Sequence, residues 1–129
     1  MGKRYLFDSN TVIDFIAGLY PDKAIKRLNQ FIDTEIIVSV ITKIEVLSFD
    51  PGKDDNYTIL VDFFKESYIL ELTDDIVNKT IQIRQKQKIK LPDAIIASTA
   101  LVNGLVLVSR NTKDFKNIPD LEVLNPYDI

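Results

Sequence analysis

Short apolar runs recur along this chain with helical patterning between them, and that alternation limits its possible folds more than any other feature. Strands are expected at Arg4 to Phe7, Glu35 to Val38, Ser67 to Leu72 and Leu105 to Val108, with a fifth candidate at Leu121 to Leu124. Between them the apolar residues repeat at helical spacing. Val12, Phe15, Ile16 and Leu19 mark a helix from about Thr11. Pro21 opens the next, with Ala24, Ile25, Leu28, Phe31 and Ile32 as its stripe. Ser39 or Thr42 begins a third, carrying Ile41, Ile44 and Leu47. Phe49 to Asn56 holds Pro51 and Gly52 and reads as a loop. Tyr57, Leu60, Val61 and Phe64 mark a fourth helix. Asp74 and Asp75 open a fifth that runs to about Gln87, and Pro92 and Asp93 open a sixth that ends near Asn103 and Gly104. Ile36 to Val38 and Leu105 to Val108 are apolar without alternation, as strands buried on both faces are. The expectation is an α/β domain: a mostly parallel sheet of four or five strands with helices on both faces.

At 129 residues the chain suits one domain, residues 1–129, and can bury a real core. No apolar stretch reaches the roughly 18 residues of a membrane helix. Lys3 and Arg4 precede no signal-peptide core, and Leu6 replaces the Ser or Thr of a myristoylation start, so a cytoplasmic protein is expected.

The chain has no cysteine and no histidine. Disulfides, thiolate nucleophiles and Cys-ligated metals are excluded, as are the commonest general base and the commonest metal ligand. Chemistry must come from carboxylates, hydroxyls, Lys, Arg, Tyr, or a metal held by oxygen, which suits Mg²⁺, Mn²⁺ or Ca²⁺. The net charge of −3 argues against holding nucleic acid by bulk positive charge. A local basic patch beside an acidic, cation-binding site remains compatible with it.

Asp8, Glu45, Asp93 and Asp114 fall at strand-to-helix junctions or near helix starts. Ligands of parallel α/β sheets bind outside the carboxyl ends of the strands. Each acid also has a purely structural reading. Asp8 could cap the helix after it. Glu45 could close a capping box with Thr42. Asp93 could complement a helix dipole, and Asp114 could be a surface turn acid. Clustered carboxylates repel, and their pKa values rise unless a cation neutralises them. A divalent ion there can polarise a phosphoryl oxygen and activate water. Ser9 and Asn10 are positioned to orient Asp8 or a water, while Asp14 reads as a solvated helix residue.

The segments Asp8-Ser9-Asn10-Thr11, Pro92-Asp93-Ala94-Ile95-Ile96-Ala97-Ser98-Thr99-Ala100 and Ser109-Arg110-Asn111-Thr112-Lys113-Asp114-Phe115, with Glu45 between the first two, follow in an order that resembles the PIN-domain family, and within it the VapC toxins. The resemblance spans nearly the whole chain. It implies a three-layer α/β/α fold and an acidic pocket of Asp8, Glu45, Asp93 and Asp114 holding one or two Mg²⁺ or Mn²⁺ ions. It also implies cleavage of RNA phosphodiesters, a small antitoxin that blocks the site, and a toxin homodimer. Asn111 stands where some members carry an acid, so the fourth corner is split between Asp114 and Asn111.

Between Lys79 and Lys90 the chain carries Lys79, Arg84, Lys86, Lys88 and Lys90 and no acid. Arg110, Lys113 and Lys116 flank Asp114. Lys86, Lys88, Lys90, Arg110 and Lys113 are therefore the candidates for guiding an RNA backbone. The first run also fits a solvated helix end. Two other functions are compatible with the residues. A haloacid-dehalogenase-like phosphatase would share the Asp8 loop but wants a second Asp where Asn10 stands. A binding module on the same scaffold would lack catalysis.

Overall fold

The computed structural model describes residues 2–31, 35–48 and 56–128. Five strands form one parallel sheet: β1 (Tyr5–Phe7), β2 (Ile37–Ser39), β3 (Tyr68–Leu70), β4 (Val106–Val108) and β5 (Val123–Leu124). Between β1 and β2 lie α1 (Ser9–Ile16) and α2 (Asp22–Phe31). Then α3 (Val40–Leu47) and α4 (Asn56–Lys65) lead to β3, and α5 (Asp74–Lys86) and α6 (Leu91–Asn103) lead to β4. A short α7 (Thr112–Phe115) precedes β5, and a 3-10 turn (Pro126–Asp128) follows it.

The strand order is β3-β2-β1-β4-β5, and every pairing is parallel. The chain winds outward from β1 to β3, then returns to place β4 on the other side of β1. That reversal leaves a crevice at the carboxyl ends of β1 and β4, where a parallel sheet receives a ligand.

Alternate residues of the central strands face opposite layers. Leu6, Ile37 and Leu107 pack with Ile83, Ile96, Ala97, Ala100 and Phe115, beneath α5, α6 and α7. Phe7, Val38 and Val108 pack with Val12, Leu28, Val46, Leu60 and Phe64, beneath α1 to α4. Both faces are covered, which explains the unbroken apolar strands, and the three-layer α/β/α expectation holds.

Local chemistry sets the element ends. Gly104 caps α6 in the left-handed region at φ 64, and the chain turns from helix into β4 within two residues. The first helix begins at Ser9 rather than Thr11, because Asp8 caps it. The third begins at Val40: Ser39 Oγ accepts from the Ile41 amide at 3.2 Å. The alternative reading of Thr42 and Glu45 as a capping box therefore does not hold, since Glu45 lies in the second turn, out of reach of the helix start. The short α7 and the final 3-10 turn have too few residues for a periodic signal and were not expected. Most of the loop read at Phe49 to Asn56, and Ile32 of the α2 stripe, lie outside the described residues, while Asn56 opens α4.

Candidate active site

Asp8 follows β1 directly and is 4% exposed. Its Oδ1 accepts from the Thr11 amide at 2.8 Å, and the Thr11 hydroxyl donates to the Val108 carbonyl at 2.7 Å. The start of α1 is thereby pinned to the end of β4. Asp8 is thus a helix cap, and its position at the crevice is held by that same bond. Burial raises its pKa, opposed by hydrogen bonds from Ser109 and Thr11 and by the charge of Arg110.

Asp93 stands in the first turn of α6, half-buried. This helix runs antiparallel to the strands, so its start lies at their carboxyl ends. Burial is the main cause of its raised pKa; the charges of Asp114, Glu45 and Asp8 raise it further, and Lys90 opposes them. The four acids singled out in the sequence therefore share one electrostatic field, although they come from four separate segments.

Two polar side chains hold the outer acids. Ser9 Oγ donates to Glu45 Oε1 at 2.7 Å, tying α1 to α3. Asn111 Nδ2 donates to Asp114 Oδ2 at 2.6 Å. Asn111 in turn donates its amide to Ser109 Oγ at 2.9 Å, and Ser109 stands close enough to Asp8 to oppose the rise of its pKa. The two residues left open for the fourth corner, Asp114 and Asn111, are thus bonded to each other. Asn10 is partly buried in the first turn of α1, but the link to a second acid runs through Ser9.

Asp14 does not lie on a solvated face as expected. It is 2% exposed, with Oδ2 at 3.5 Å from Arg110 Nε, and it accepts from the Tyr127 hydroxyl at 3.2 Å. Tyr127 packs against Tyr20 with ring centroids 4.9 Å apart and planes tilted by 58°, so the 3-10 turn covers Asp14. Arg110 holds Asp14 through its Nε and acts on Asp8 through its charge.

The other basic candidates divide by position. Lys88, Lys90 and Lys113 line a cleft of about 470 Å³ that contains Asp93 and Asp114. Lys86 faces a separate cleft with Lys79 and Asp120. Arg84, not singled out as a site residue, lines the acid-bearing cleft as well.

Among the described residues no three acidic side chains stand close enough together to form a ready-made ion cage. The donors nonetheless fit a hard divalent cation. All are carboxylate oxygens, and the repulsion that raises the Asp93 pKa is what a bound cation would relieve.

Solved structures share this architecture. A toxin-antitoxin complex from Klebsiella pneumoniae contains a chain 34% identical to this one, with a TM-score of 0.77, covering 97% of this chain and 99% of that one. A DNA-bound VapBC from Salmonella typhimurium contains a chain with a TM-score of 0.82 at 22% identity, a likeness of fold, covering 97% of this chain and 99% of that one. A ribonuclease VapC from Rickettsia bellii (strain RML369-C) is 26% identical over 135 residues, which cover 92% of this chain and 93% of that protein. Residues 5–121 match the PIN domain, a span that takes in Asp8, Glu45, Asp93 and Asp114, and the chain belongs to the PIN-domain family.

Proposed function

We propose that this chain, as one domain over residues 1–129, is a divalent-metal-dependent endoribonuclease and the toxin of a type II toxin–antitoxin pair. The observation that carries this reading is that Asp93 and Asp114 line one cleft while Ser9, next to the buried Asp8, holds Glu45, all at the crevice between β1 and β4. Asp8, Glu45, Asp93 and Asp114 would hold Mg²⁺ or Mn²⁺, directly or through water. When bound, such an ion supplies Lewis acidity toward a phosphoryl oxygen and lowers the pKa of water.

The chain's own groups do the rest. The Thr11 amide and Ser109 aim the Asp8 carboxylate. Ser9 holds Glu45, and Asn111 holds Asp114. Lys88, Lys90 and Lys113 bring positive charge to the cleft that leads to Asp93 and Asp114, where a phosphate backbone would approach. With no histidine, transphosphorylation through the ribose 2′-hydroxyl lacks its usual acid and base. Attack by water then leaves a 5′-phosphate and a 3′-hydroxyl.

The partner in this reading is a small antitoxin. Its support is the likeness to solved toxin–antitoxin complexes, together with an apolar cleft of Ile13, Ile16, Ala17, Val46 and Leu60 that opens beside Glu45. A chain seated there would lie at the rim of the acidic site. For a homodimer the support is the family resemblance, and sedimentation of the purified toxin tests it. No described helix is long and apolar enough to cross a membrane. A cytoplasmic location belongs to this reading because the RNA targets and the antitoxin would be met there. Neither the phosphatase nor the non-catalytic module gains support from the matches.

The test is end-labelled RNA incubated with EDTA-stripped and then Mg²⁺-restored protein. Cleavage is expected only after restoration and only with Asp8 intact. Cleavage that persists in EDTA, or that leaves a 2′,3′-cyclic phosphate, overturns the reading.

A further inference from the structure

The cleft that holds Asp93 and Asp114 is also lined by four cations. Lys88 and Lys90 line it from the connection between α5 and α6, Lys113 from α7, and Arg84 from the last turn of α5. Arg84 differs from the lysines in being anchored. Its Nε donates to the Ile89 carbonyl at 3.3 Å, which orients the guanidinium toward the cleft wall and leaves its terminal nitrogens for a ligand. The wall it belongs to is braced, since Gln87 Nε2 donates to the Asn117 carbonyl at 3.3 Å across the cleft. Arg84 also lines an adjoining cleft of about 480 Å³ whose apolar members are Ile81, Ile89 and Leu91, with Ile81 and Leu91 about half exposed at 51% and 49%. It therefore stands where the acid-bearing cleft passes into a second groove along α5.

We propose that the RNA strand leaves the acidic site past Arg84, which binds a backbone phosphate as a fixed, bidentate donor, and continues along α5 over Ile81 and Leu91. This rests on the ribonuclease reading and adds to it a path and a positioning residue. Rigid placement distinguishes Arg84 from Lys86, which lies on the same helix turn but faces another cleft. A preorganised fork loses less side-chain freedom on meeting a phosphate than a free lysine does. Arg84 is thus the cation whose loss matters most outside the acidic site.

The experiment measures two things. Binding of a fluorescein-labelled single-stranded RNA is read by anisotropy in the Asp8→Asn background, which separates binding from cleavage. Cleavage kinetics are read in the otherwise wild-type chain. Arg84→Gln is expected to weaken binding roughly three- to ten-fold at low salt. It should also lower the slope of log affinity against log salt by about 0.7, the loss of one phosphate contact to a single strand. KM should rise while kcat stays within about two-fold, because Arg84 touches no reacting atom. Arg84→Lys should recover part of the affinity and most of the salt slope. Lys86→Gln should lose less than Arg84→Gln, and Lys26→Gln on α2 serves as the charge-matched control. Thermal melting of each variant excludes unfolding as the cause. If Arg84→Gln binds RNA as tightly as Lys26→Gln does, or if the Asp8→Asn chain binds no RNA, the path is wrong. If binding depends on Arg84 but the wild-type chain cleaves nothing with Mg²⁺ or Mn²⁺, the path stands and the ribonuclease reading fails.

Discussion

Ser9 Oγ and Glu45 Oε1 lie 2.7 Å apart, joining the first turn of α1 to the second turn of α3 across the mouth of the acidic crevice. Asp8, the neighbour of Ser9, is locked in place by the Thr11 amide, so this one bond ties an exposed acid to a buried one. Ser9→Ala should release Glu45 with little effect on folding, about 1 kcal/mol or less, because the bond is exposed at the surface. RNA cleavage should fall roughly ten-fold if Glu45 must be held in place to act. Parallel thermal melts and cleavage rates check it, and an unchanged rate would remove Ser9 from the site.

Asp8→Asn should keep the fold, since Asn caps a helix about as well as Asp and is nearly isosteric. Cleavage should fall by at least about 100-fold, the scale of removing one preorganised electrostatic group. Mn²⁺ should raise the melting temperature of the wild type and do so far less in an Asp8→Asn/Asp93→Asn double variant. Equal stabilisation of both proteins would count against these residues as ligands.

The pKa shifts give a dependence with a definite sign. Asp8 and Asp93 are raised in the folded, metal-free chain, chiefly by burial. The folded state therefore holds these protons more tightly than the unfolded state does. The resulting stability is full below the unfolded carboxylate pKa of about 3.9 and is lost as pH rises through the higher folded values. In EDTA, Asp93→Asn should melt above wild type at pH 7, and the difference should close near pH 4. Divalent cations should reverse the order at pH 7, because they stabilise only the chain that keeps the ligand. Melting curves across pH with and without Mn²⁺ read both effects.

Asp14 and Arg110 form a pair buried at one end only, with the carboxylate 3% exposed and the guanidinium half exposed. Asp14→Ala should cost about 1–2 kcal/mol, less than a fully buried pair because water screens Arg110. It also removes the acceptor of the Tyr127 hydroxyl. A double-mutant cycle with Arg110→Met should show coupling of at least about 0.5 kcal/mol. Activity should fall in both single variants, since Asp14→Ala frees Arg110 and Arg110→Met removes the charge that acts on Asp8. Additive stabilities would show that the pair is incidental.

Local physics made much of this protein legible from its residues. Unbroken apolar runs reported strands covered on both faces, helical spacing reported the long helices, and the Gly104 cap marked the end of α6. The candidate acids were visible because they fall at strand-to-helix junctions or within the first two turns of the helix that follows, the end of a parallel sheet that binds ligands. What their roles would be was decided only by contacts between distant segments. Glu45 meets a partner 36 residues away, and Asp14, expected on a solvated face, was buried by a tyrosine 113 residues along the chain. Lys86 and Lys88 look equivalent in sequence, yet α5 ends at Lys86 and the chain turns there, so they face different clefts. Hydrophobic periodicity records which side of an element is covered, because burial acts on each residue where it stands. It carries no record of which polar group will meet which, because that depends on how the elements come together in space.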